Sequence, residues 1–152
     1  MKMTLINRTK TELSARKIQK DLQDVAAVLK ARLPKKESQK LLRKNITLVF
    51  LGRAESAKLN HQFRNKSYPT DVLSFESADP FLGELVFCLP VLKEQAKSHN
   101  HILRLEFIYL LIHGILHLLG YDHDKSPMQA KKMFAIQDAA FSEFQNKKLV
   151  DY

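Results

Sequence analysis

The chain has 152 residues, 45% of them hydrophobic, and a formal net charge of +9. That length and apolar content suit one domain, residues 1–152, around one sizeable core, and argue against several independent units. The charge is lopsided: residues 1–44 hold 13 Lys/Arg against 4 Asp/Glu and residues 45–152 hold 12 of each, so the whole excess lies in the first third.

In chain order, Met3 to Asn7 reads as a short strand, and TKTE after it offers Thr9 as a helix N-cap with Glu12 three residues on, a capping-box pattern. The helix that follows carries Ile18, Leu22, Val25 and Leu29 on one stripe, with Arg16, Lys17 and Lys20 off it and Pro34 beyond its end. PKKESQKLLRKN is expected to be a polar connection with at most a short helical turn. ITLVFLG, from Ile46, is rich enough in β-branched and aromatic residues for a buried strand. Ala54 to Phe63 suits a second helix. VLSFE from Val72 and LGELVFCL from Leu82 supply two more strands, the latter ended by Pro90.

From Asn100 the pattern turns helical. NHILRLEFIYLLIHGILHLLG is apolar nearly all round, which predicts a helix buried in the middle of the fold, stopped by Gly120 in a left-handed conformation. A last helix runs from about Pro127 to Phe144, with Met133, Phe134, Ile136, Ala140, Phe141 and Phe144 available for packing. The expectation is an α+β fold, a small mixed four-stranded sheet with about five helices.

The basic first third points to a polyanionic partner, or else to a solvated lysine-rich helix face; charge alone leaves both open. The only cysteine, Cys88, excludes an intramolecular disulfide, fits a reducing compartment and reads as a small core residue. MKMTLINRTK has too short an apolar run for a secretory signal, which predicts a cytoplasmic protein. Phe107 to Leu119 falls short of the roughly 20 residues that cross a bilayer, so no membrane partner is expected.

Three of the chain's six histidines fall in HGILHLLGYDH, residues 113–123. His113 and His117, four apart on the buried helix, project from one face one turn apart. Gly120 breaks the helix and lets the chain return His123 toward the same point. Three neutral imidazoles with an open fourth position describe a catalytic zinc site, one Zn²⁺ per chain, whose water ionises near neutral pH. Lone histidines on apolar faces are usually hydrogen-bonded core residues, but burying three without a ligand is costly. His61, His99 and His101 show no such spacing and are read as surface residues.

The pattern HxxxHxxGxxH is that of the metzincin proteases with one omission: Gly114 stands where those enzymes carry the Glu general base. A peptidase needs a group that takes a proton from water and returns it to the leaving amine. Attack on phosphorus needs less help when a cation stabilises the anionic transition state.

HGILHLLGYDH, LNHQFRNKSYPTDVLSFE from Leu59 and LGELVF from Leu82, in that order, resemble the bacterial YbeY family of rRNA maturation factors and endoribonucleases, over essentially the whole chain. The resemblance implies a single-strand-specific, metal-dependent endoribonuclease acting in 16S rRNA 3′-end maturation and ribosome quality control, with RNA, ribosomes or ribosomal proteins as partners and no DNA. It carries the metal ligands onto His113, His117 and His123. It carries the functional arginine, catalytic and substrate-binding, onto Arg64, whose guanidinium could clamp a phosphate bidentately. Without the resemblance, Arg64 reads more readily as an exposed helix-end cation satisfying carbonyls.

The chain departs from the family where Asp is common and Glu84 stands, and where an acidic residue is frequent and Gln137 stands. Both bear on a carboxylate behind the ligands. Asp122 and Asp124, flanking His123, either orient an imidazole or are turn residues. Phe63, Tyr68 and Phe75 are as suited to the core as to stacking on bases. Two other functions stay open: a non-catalytic ribosome-assembly factor with a structural metal, which open three-ligand coordination disfavours, and a zinc peptidase, which Gly114 disfavours.

Overall fold

The computed structural model describes residues 1–152, in the order β1 (Lys2–Asn7), α1 (Ala15–Lys30), α2 (Lys35–Arg43), β2 (Asn45–Leu51), α3 (Arg53–Arg64), β3 (Val72–Glu76), β4 (Phe81–Cys88), α4 (Leu89–Ser98), α5 (Leu103–Leu118) and α6 (Pro127–Gln145). The four strands form one sheet in the order β1-β2-β4-β3. β1, β2 and β4 run parallel and β3 pairs antiparallel to β4, which leaves it as one edge. The α+β fold with a mixed four-stranded sheet is as expected from the sequence.

There are six helices rather than about five. The added one is α4, whose first turn contains Pro90. Proline ends a strand because it lacks an N–H, but at a helix start that N–H has no partner to lose, so Pro90 does both. The polar stretch after Pro34 also forms more than a turn, a nine-residue helix seated by buried Leu41. The cap of α1 differs as well. Asn7 Oδ1 accepts from both the backbone N–H and the hydroxyl of Thr9, which holds Thr9 in a loop. Ser14 caps α1 instead, accepting from the Lys17 N–H at 3.3 Å.

The α1 stripe of Ile18, Leu22, Val25 and Leu29 is fully buried. It joins Ile46, Leu48 and Phe50 of β2, Leu85 and Phe87 of β4, and the buried apolar faces of α5 and α6 in one core on one face of the sheet. Phe50, Phe87 and Phe107 meet there with ring centroids 5.1–5.5 Å apart. On the other face Val49, Leu51, Leu73 and Val86 form a smaller cluster against Leu59 of α3. Cys88 is buried and unpaired. No single helix is long and apolar enough to cross a membrane.

A buried ion pair sets the position of α5 against α1. The Arg104 guanidinium donates from Nε and a terminal nitrogen to Asp21 at 2.8–3.1 Å, with both side chains almost wholly buried. The Tyr152 phenol donates to the same carboxylate at 2.6 Å. Burial first, then the Asp21 charge, pushes that phenol far above its ordinary range, so it remains a donor. Removing one member of a buried pair strands the other charge. Asp21→Ala is therefore expected to lower unfolding stability by about 3–5 kcal/mol, read as a lower urea midpoint; a shift under about 1 kcal/mol would contradict the arrangement.

Candidate metal centre

α5 carries the centre because it is apolar on nearly every side and packs between the sheet and the outer helices. Gly114 is what permits the close approach: a Cβ there would lie 2.8 Å from a methyl of Leu85. Position 114 thus faces the sheet, so the omission of the protease glutamate has a packing reason besides a chemical one. At its C-terminal end α5 closes in a Schellman turn, with the Tyr121 N–H donating to Leu116 O and the Gly120 N–H to His117 O, both at 3.0 Å. Gly120 has φ +98, which a side chain would strain. Asp122 Oδ1 then accepts from the Asp124 N–H at 2.9 Å, completing the return of the chain.

The result brings His113, His117 and His123 together, one ring nitrogen from each lying within 4.8 Å of the others. Nε2 of His113 and Nε2 of His117 are 3.0 Å apart. That is close to the roughly 3.3 Å edge of a tetrahedron with bonds of about 2.0–2.1 Å. The His123 ring centroid lies 5.3 and 5.1 Å from those of His113 and His117. Its Nδ1 is buried with no hydrogen-bond partner, a lone pair or proton removed from water at a cost unless something takes it up. Burial holds His113 below its ordinary value, offset in part by Gln137. Burial and then the neighbouring His113 and His123 do the same to His117. Both effects favour the neutral imidazole, the form that ligates a metal. These three residues fit a zinc-type ion.

Gln137 of α6, fully buried, accepts from His113 Nδ1 through Oε1 at 2.8 Å. A proton on Nδ1 leaves Nε2 with its lone pair directed into the centre. Sequence reasoning had only marked Gln137 as a departure, since nothing within the chain's local pattern says that α6 will bring residue 137 against residue 113. Gln137→Leu removes that acceptor and is expected to weaken metal binding about 10–100-fold, with Gln137→Glu restoring most of it; equal affinities in competition with a chelator would refute the role.

Glu84 stands elsewhere. It alternates away from Leu85 on β4, lies on the opposite face of the sheet, and lines a separate groove with Arg8, Lys58 and Glu55. The doubt it raised about a carboxylate behind the ligands is thereby removed. Asp122 is a turn residue, as one of the two readings had it, and the exposed Asp124 lies 3.5 Å from His123 Nε2. The Phe134 ring covers the outer side of His123, centroids 5.6 Å apart.

The centre opens into a cavity of about 720 Å³ walled by β3 on one side and by residues 120–125 on the other. Arg64 lines the same cavity. It is the last residue of α3, which Asn65 ends in a left-handed conformation with φ 55. The loop beyond is pinned back on α3 by Asn60 Nδ2 donating to Tyr68 O at 2.8 Å and by paired contacts of Ser56 with Thr70. The Arg64 side chain is exposed and makes no ion pair or hydrogen bond with the chain, so it satisfies no helix-end carbonyls. Phe63 and Tyr68 are more than half exposed, whereas Phe75 is partly buried beneath Phe63, centroids 4.9 Å apart.

His61 is a surface residue, as expected. His99 is exposed as expected, while His101 is half-buried, and with Glu106 the two form a second cluster of potential ligands.

The family described as Endoribonuclease YbeY matches residues 4–145. An Endoribonuclease YbeY from Bdellovibrio bacteriovorus is 47% identical over 142 residues, 93% of each chain. This chain belongs to the YbeY family. A YbeY endoribonuclease from Thermotoga neapolitana is 37% identical over 103 residues, 68% of this chain and 69% of its own. Among solved structures, the fold is similar to that of a Thermotoga maritima protein determined in solution, with TM-score 0.58 and 26% identity over 94% of this chain and 91% of that one.

Proposed function

We propose that residues 1–152 act as one domain, a single-strand-specific, zinc-dependent endoribonuclease of the cytoplasm. It hydrolyses phosphodiester bonds of RNA, with the 3′ end of 16S rRNA as substrate and ribosomes as the setting, in rRNA maturation and quality control. The observation that carries this reading is the shared cavity: an unpaired arginine and three converging imidazoles line one space. A bound Zn²⁺ supplies Lewis acidity toward water and the phosphate oxygens.

The chain's own residues do the rest. His113, His117 and His123 hold the ion, and Gln137 keeps His113 in the required tautomer. Arg64, with a fixed fork of donors, orients the scissile phosphate and balances the charge that grows on it. The basic first third, with α1 and α2 carrying much of its excess of Lys and Arg, would grip the RNA backbone away from the cut.

The test is cleavage of a single-stranded RNA spanning a 16S 3′ end, compared with the same sequence in a duplex, before and after chelation and with zinc returned. Cleavage of the single strand alone, lost on chelation and restored by zinc, supports the reading. Ribosome binding that survives chelation, with no cleavage under any condition, would favour a non-catalytic assembly factor instead.

A further inference from the structure

Besides Arg104, α5 buries a second ionisable group, Glu106, about 1% exposed in its first turn. Its carboxylate oxygens lie 3.1 and 3.0 Å from His99 Nδ1 and 3.0 Å from His101 Nδ1. These imidazoles are its only ion-pairing partners; no lysine or arginine balances it. A carboxylate taken out of water needs a positive charge close by.

The corner between α4 and α5 is built to bring the three together. α4 closes with the His99 N–H on Gln95 O at 2.9 Å, Asn100 takes a left-handed φ of 56, and the His101 N–H donates to Ala96 O at 2.8 Å. His101 is further held against the Phe141 ring, centroids 5.9 Å apart. The nitrogen-to-oxygen separations approach the edge of a tetrahedral zinc-type site, about 3.3 Å. One ligand atom from each of the three residues lies within 4.8 Å of the others. The exposed His99 leaves one side open to water.

We propose that His99, His101 and Glu106 form a second metal site, which takes a divalent transition-metal ion. Two imidazoles and one carboxylate suit zinc, cobalt, nickel or copper over magnesium or calcium. The site is distinct from the His113 centre: Glu106 and His113 are seven residues apart on one helix, about 10 Å along its axis. Its ion would clip the end of α4 to the start of α5, and so brace the helix that carries the first centre.

The experiment is Co²⁺ uptake by tag-free protein at neutral pH, measured by equilibrium dialysis. The wild type is expected to take two ions per chain, His117→Ala and His101→Ala one each, and the double variant none. His99→Ala, on the exposed side where folding is least at risk, is expected to weaken the second site at least about tenfold. In the His117→Ala background, Co²⁺ should still raise the melting temperature, and should cease to do so when His101→Ala is added. Uptake that falls only with His99→Ala and His101→Ala supports the site even if His117→Ala has no effect. Uptake that both leave unchanged overturns it, and Glu106 is then balanced by a protonated imidazole.

Discussion

His117→Ala is expected to lose the one zinc per chain held by the triad and to lower RNA cleavage by about 10³-fold or more, while the fold survives. The donor it removes lies 3.0 Å from the Nε2 of His113 and cannot be replaced by another side chain, since the nearest alternative ligands, Asp122 and Asp124, are committed to the turn or face solvent. Two remaining imidazoles hold a zinc-type ion far more weakly than three, and a Lewis acid contributes several kcal/mol of charge stabilisation, which corresponds to about three decades in rate. The helix should persist because His117 is half-buried at its last turn, with neighbours Leu116 and Leu118 supplying the core contacts. Metal analysis alongside single-turnover cleavage checks this. Zinc retained at one ion per chain from the triad would sink the ligand assignment.

Arg64→Ala should separate the two roles. Cleavage is expected to fall about 10²–10³-fold, the usual cost of removing one preorganised donor from a developing anion, with zinc content unchanged. Arg64→Lys should recover little, because an ammonium offers a point charge where a fork is needed. Stability should move by less than about 0.5 kcal/mol, since Arg64 is exposed and bonds to nothing in the chain. A variant with full activity would dismiss the phosphate role; one that lost zinc as well would mean that Arg64 supports the metal centre and not the substrate.

Both predictions rest on residues named from the sequence, yet by different routes. The triad is local information: a spacing of four on an apolar helix, then a glycine and a short return, puts three imidazoles at one point through backbone geometry alone. The strands and the buried stripe of α1 are legible for the same reason, since periods of 2 and 3.6 are properties of a single segment. Arg64 entered only through resemblance to the YbeY family, because its place beside the cavity depends on how α3 packs against the sheet and α4.

What tertiary structure alone decided lies in contacts between elements. Gln137 meets His113 because α6 packs on α5. His99, His101 and Glu106 came together only through the corner between α4 and α5, where a left-handed Asn100 redirects the chain. A sequence pattern records which face of a segment is apolar, but not which partner covers that face, and these outcomes were settled by the partner.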